Sequence, residues 1–231
     1  ALKEEVNQTA SQLRNTHNTR EALELFRQHS RDELKDDIRF AAMALQQSID
    51  GFEKENLKEL KKVIGDIEEK KVHLKQVKRV GTLGITQLDR TIAIDKGLYY
   101  YQGNDFASEI IFSIRRLVEP CKQHIDNNFR PLDEIQRKDY GEVEAQIIAY
   151  LENISAQIEN NDYIGMDATI EESTRLQNEL TRLKKEELKR IQGQSGSTKV
   201  SMIYLNILQE TTNIVNFSCN LLKVSKKFQK E

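Results

Sequence analysis

Apolar positions along this chain recur at three-to-four-residue spacing, and one long pattern of them occurs twice. Ile64, Leu74 and Val77 return 106 positions later as Ile170, Leu180 and Leu183. Leu98, Tyr100, Tyr101, Ser113, Ile114 and Leu117 return 107 positions later as Leu205, Ile207, Leu208, Asn220, Leu221 and Val224. Each copy ends in a long apolar-rich helix preceded by two more polar ones. Solenoid repeats are shorter, so a repeat of this length predicts a small bundle. The expected fold is all-α: two tandem, pseudo-symmetric three-helix bundles over 30–128 and 129–231, with an extra N-terminal helix or connector over 1–29.

The finer pattern places the elements. Residues 2–28 predict a first helix through a sparse stripe of Val6, Ala10, Leu13, Leu23 and Phe26. Ser30-Arg-Asp-Glu33 has the spacing of a capping box and predicts a new helix start. Leu34, Ile38, Ala41 or Ala42 and Leu45 carry that helix toward Gly51, and Asn56 is placed to cap the next, over 57–80. Gly81-Thr-Leu-Gly84 predicts a kink or break, because glycine costs about 1 kcal/mol in a helix interior. A third helix follows over 86–126, bent by Pro120, and Asn127 to Pro131 reads as a linker. The second copy predicts helices over 138–159, then to 191, then 198–228, with turns at Asn160-Asn-Asp162 and Gly193-Gln-Ser-Gly-Ser197. The last helix is apolar nearly all round, which predicts burial by several neighbours.

Composition agrees with long helices. In 231 residues there are 2 prolines and 10 glycines, and 31% of residues are charged. The net charge of -2 supplies no general attraction for nucleic acid or for acidic membranes, although a local basic stripe can. Cys121 and Cys219 are too few for a disulfide framework and suit a reducing compartment. No run approaches the length a membrane-spanning helix needs, and no signal peptide opens the chain. A start at Ala1 rather than Met suggests one domain of a longer protein, or removal of the initiator.

Candidate chemistry is sparse. Asp105 and Glu109 stand four apart, hence on one helix face, where two carboxylates can hold a hard cation. Asp89 and Asp95 lie upstream and could extend the cluster. A solvated acidic face is the commoner meaning of such a pair. At the same places in the second copy stand Thr212 and Asn216, much weaker ligands, so the first copy is the better candidate for a metal. Cys121-x-x-His124 has no second pair to complete a tetrahedral site, and His17, His29 and His73 read as structural or exposed. Tyr99, Tyr100 and Tyr101 point three ways around a helix and cannot form one stacking platform. Lys71, Lys75 and Arg79, with Lys70 and Lys78, form a basic stripe. That stripe reads first as a solvated face, second as a contact for acidic lipid or an acidic partner. No phosphate-cradling loop or nucleophile–base set is present, so nothing argues for an enzyme.

The apolar third helices resemble those of PhoU-like proteins, whose repeats carry a motif close to Glu-Arg-Ile-Gly-Asp-His-x-x-Asn-Ile. Leu208-Gln-Glu-Thr-Thr-Asn-Ile-Val-Asn216-Phe-Ser-Cys-Asn220-Leu221 follows that frame, with Thr212 at the motif's glutamate and Asn216 at its aspartate. In the first copy Asp105 falls on the glutamate, Glu109 on the aspartate, and Ser113-Ile114 on the closing pair. The likeness covers residues 30–228. It implies that Asp105 and Glu109 hold a divalent or ferric ion on the bundle surface; Asp89 stays a candidate from its place upstream alone. Ile203 to Glu210, Val118 to Cys121 and His124 to Phe129 are most similar to the PhoU-type domain at the C-terminus of bacterial sodium/phosphate cotransporters.

That likeness implies a non-catalytic cytoplasmic regulatory domain at the inner membrane. Its partners would be its own membrane-spanning transport part, a signalling protein or another copy of itself. A free-standing, metal-binding PhoU-like adaptor for phosphate signalling is the second expectation. A helical scaffold with no phosphate role is the third.

Overall fold

The structure is a computed structural model that describes residues 2–16, 18–193 and 196–230, with side chains described from Gln8 onward. Its elements are α1 (Leu2–Asn15), α2 (Thr19–Glu53), α3 (Leu57–Thr86), α4 (Arg90–Asp126), α5 (Glu134–Glu159), α6 (Met166–Gln192) and α7 (Thr198–Gln229). Among the described residues there is no strand, as the three-to-four-residue periodicity requires.

Local chemistry sets most of the boundaries. The Asn56 side chain accepts from the Glu59 amide and opens α3 as expected. α5 begins at Glu134, four residues before the predicted start, because Asp133 and Gln136 form a reciprocal capping box. Glu55, Asn128 and Asn161 take positive φ angles of 53°, 57° and 50° in the turns after α2, α4 and α5. Asparagine tolerates that backbone and glutamate does so at a cost.

Two predicted breaks are helix interior instead. The helix expected over 2–28 is divided: α1 ends at Asn15, and α2, capped by the Asn18 side chain, runs through Ser30 without interruption. Ala22, Phe26, Ser30, Leu34 and Ile38 form one buried stripe, so the helix gains core contact by continuing. α3 likewise continues through Gly81 and Gly84 to Thr86. A Cβ on Gly81 would stand 2.0 Å from the Tyr100 ring, and one on Gly84 2.8 Å from the Phe26 ring. These glycines admit aromatic rings against the backbone; they do not end the helix.

Pro120 also stays inside α4. It has no N–H for the Arg116 carbonyl one turn earlier. Asn206 on α7 donates its side-chain amide to that carbonyl at 3.0 Å, so the freed acceptor is satisfied.

α4 and α7 make the most extensive helix pair, and they run antiparallel. Tyr100 lies beside Phe228, Phe106 stacks on Phe217, and Arg116 reaches Glu210. α2 and α5 pair antiparallel as well, with the Ser155 hydroxyl donating to the Lys35 carbonyl midway along α2 and Arg137 standing 3.9 Å from Glu53 at its end. α3 packs on α2 and α4, and α6 packs on α5 and α7. One continuous apolar core runs through α2 to α7. α7 buries Tyr204, Ile207, Leu208, Ile214, Val215, Leu221 and Leu222 among α4, α5, α6 and α2, as its apolar circumference predicts.

A second, smaller core joins Leu13, Phe26, Val77, Val80, Tyr100 and Phe228, where α1 lies against α3 and the start of α2. Arg27 of α2 donates to the carbonyls of Phe228 and Lys230 and so caps the end of α7. No helix of the described residues is long and apolar enough to cross a membrane.

Candidate functional site

The structure keeps Asp105 and Glu109 together and sets Asp89 apart from them. Asp105 and Glu109 share the exposed face of α4, but each meets a cation of the chain itself. Lys78 of α3 donates to Asp105 at 2.8 Å, and Arg116 stands 3.8 Å from Glu109. Asp89 is the residue before α4, where it accepts from Thr19 at 3.3 Å. Sixteen residues of helix at about 1.5 Å each put it some 24 Å from Asp105. Asp95 pairs with Lys96. Among the described residues no three His, Cys, Asp or Glu side chains come together in a way that could hold a metal ion. Lys184 of α6 donates to Thr212 at 2.9 Å and to Gln209 at 3.1 Å.

The remaining candidates fall where their patterns place them. Cys121 is fully buried, and burial pushes its thiol well above the ordinary range. His124 hydrogen-bonds the Arg130 carbonyl at 2.7 Å between Phe52 and Phe129, a structural role. Cys219 is a buried residue on α7. His17 lies outside the described residues. Tyr100 is core, Tyr101 is 41% exposed, and Tyr99 lies under Lys227.

Sequence reasoning missed a buried ionic cluster between α2 and α3. His29, Glu33 and Asp37 occupy successive turns of α2, and Lys70 and His73 face them from α3. His73 Nε2 shares a hydrogen bond with Glu33 at 2.6 Å, and His29 Nδ1 lies 4.0 Å from the other Glu33 oxygen. Lys70 Nζ stands 2.5 Å from Asp37 Oδ1 as an ion pair, without the angles of a hydrogen bond. Burial pushes the Asp37 carboxyl up to about 6 against the pull of Lys70, and burial likewise lowers the His29 imidazole. Burial alone would raise Glu33, but His73 holds it below the ordinary range. The four-residue spacing of His29, Glu33 and Asp37 was the available signal. Its partners on α3 are unreadable until the two helices pack.

A second acidic group lies at the other end of α2. Glu144 of α5 is held at about 8 by burial, with Glu53 and Asp50 adding repulsion. Two cavities open near this end, around the linker between α4 and α5. One of about 690 Å³ lies between Pro131, Leu132, Arg137 and Val200, and one of about 330 Å³ lies between Pro120, Phe129 and Met202.

No protein-family model matches the chain, and no curated protein matches it.

Proposed function

We propose that the chain is a non-catalytic regulatory domain of a sodium-dependent phosphate transporter, built as two PhoU-like three-helix repeats, α2–α4 and α5–α7, after the connector α1. The observation that carries the repeat is a pair of equivalent contacts. Lys78 reaches from α3 to Asp105 on α4, and 106 to 107 residues later Lys184 reaches from α6 to Thr212 on α7. The repeated apolar positions support it: Leu74 and Leu180, Val77 and Leu183, Ile114 and Leu221, and Leu117 and Val224 are all buried. So does the antiparallel packing of the two third helices on each other. The link to phosphate and to the cytoplasmic face of the inner membrane rests on the resemblance described above.

Such a domain works by docking on the transport part or on a signalling protein, stabilising one transport conformation over another. A bound partner shifts that equilibrium only as far as it prefers one state. In a transporter that carries this chain, deletion of residues 30–228 should change phosphate uptake or its response to starvation. Uptake unaltered in both rich and starved cells refutes the proposal. A divalent or ferric ion at Asp105 and Glu109 enters this reading only with Lys78 displaced.

A further inference from the structure

We propose that the face made by α3 and the first half of α4 docks on an anionic lipid surface. The proposal needs only that surface and stands apart from the transport reading. Residues 70–88 contain five Lys or Arg and no Asp or Glu, in a chain whose net charge is -2. Lys70 turns inward to Asp37. Of the other four, Lys75 and Arg79 are exposed, Lys78 is half-exposed, and Lys71 lies partly covered over the Phe112 ring. Glu68 and Asp105 pair with Lys71 and Lys78, whereas no carboxylate of the described residues pairs with Lys75 or Arg79. Lys71, Lys75 and Lys78 rim a groove of about 150 Å³ floored by Leu74 and Phe112.

Beside this basic rim α4 presents an apolar ridge. Ile94 is 67% exposed, Leu98 57% and Tyr101 41%. Their spacing of four and then three puts them on one side of the helix. Tyr101 lies 3.4 Å from Thr82, which holds its ring over toward α3. On the other flank Lys227 sits over the Tyr99 ring at 5.3 Å, at the end of a stretch, 211–230, that holds four lysines and no acid.

Asp95 and Asp105, the exposed carboxylates of this stretch of α4, are each paired with a lysine. Basic side chains flanking projecting aliphatic and tyrosine side chains suit the boundary between lipid headgroups and acyl chains. Ile94, Leu98 and Tyr101 project from a ridge, outside the small groove over Leu74 and Phe112, which favours a lipid interface over the apolar face of a partner helix. Free phosphate would leave the ridge without a role.

Vesicle flotation tests this with the whole chain. The probes are phosphatidylcholine vesicles with and without phosphatidylserine at about one part in three. Binding is expected only to the anionic vesicles and should fall steeply with added salt. Each basic contact is worth about fivefold, so Lys75→Glu with Arg79→Glu should weaken binding by about 25-fold or more. Ile94→Ser with Leu98→Ser should weaken it several-fold while the salt dependence persists. Lys58→Glu with Lys61→Glu, on exposed turns at the far end of the same helix, carries the same charge change and should bind within about twofold of the unaltered chain after correction for net charge. Circular dichroism confirms that each variant is folded. No binding to anionic vesicles at low salt overturns the proposal. Equal loss in the Lys58/Lys61 control, or capture of an acidic amphipathic peptide with no vesicle binding, does so too.

Discussion

Replacing Gly81 by alanine separates two accounts of the same residue by the sign of its effect. If glycine were there to loosen the helix, alanine would stabilise it by about 1 kcal/mol. The packing predicts the reverse. The new Cβ would lie 2.0 Å from a carbon of the Tyr100 ring and 2.3 Å from its hydroxyl oxygen. Tyr100 is held by its bond to the Val77 carbonyl at 3.1 Å, by Phe26 at 4.5 Å and by Phe228 at 5.8 Å between ring centres. Overpacking of that kind costs about 1–3 kcal/mol and the strained hydrogen bond about 1 more. Subtracting the helix gain leaves a net loss of about 2 kcal/mol, a fall of roughly 4–8 °C in the melting midpoint for a chain of this size. Gly65→Ala on the same helix meets nothing within 4 Å, so it should raise the midpoint by a few degrees. Thermal and urea unfolding of both variants decide the matter. A Gly81→Ala protein as stable as the unaltered chain refutes the packing account.

The other predictions concern single groups. Asn206→Leu removes the donor to the Arg116 carbonyl, which water can then reach, and should cost about 0.5–1 kcal/mol, while Pro120→Ala in the same chain restores a backbone donor and should recover most of it; a double-mutant cycle in urea reads the coupling. Glu144, near 8 when folded and near 4.5 when unfolded, keeps its proton longer in the folded chain, so its contribution to stability falls as pH rises between those values and is flat above them. Glu144→Gln should remove that slope and stabilise the protein above pH 8 by about 1–2 kcal/mol, allowing for partial solvent access, as urea midpoints across the range would show. Asp37→Asn strands the buried Lys70 ammonium and should cost about 3–5 kcal/mol, whereas Asp37→Leu with Lys70→Met should cost far less; equal losses would refute the pairing. Lys78→Met frees Asp105, so any divalent-ion binding at Asp105 and Glu109 should strengthen in that variant by calorimetry, and unchanged titrations would exclude those carboxylates as ligands.

Apolar spacing alone made the helical class, most helix ends and the burial of α7 legible, because amphipathic periodicity and cap chemistry act over one or two turns. It missed the break between Asn15 and Asn18 inside the helix expected over 2–28, and its two other failures share a cause. Ser30-Arg-Asp-Glu33 and Gly81-Thr-Leu-Gly84 carry start and stop signals worth about 1 kcal/mol each, and packing against neighbouring helices outweighs signals of that size. The acidic pair was legible as a spacing, but its pairing with Lys78 and Arg116 was not, since those cations arrive from another helix and another turn.

Sequence by itself therefore determined which segments are helical and which face of each is apolar. Tertiary structure decided what meets across those faces. Only packing brought Lys70 and His73 to Asp37 and Glu33, gave Asn206 to the carbonyl that Pro120 leaves open, and laid Tyr100 on Gly81. Partners distant in the chain meet through a shared core, and nothing local encodes which of many apolar faces will be chosen.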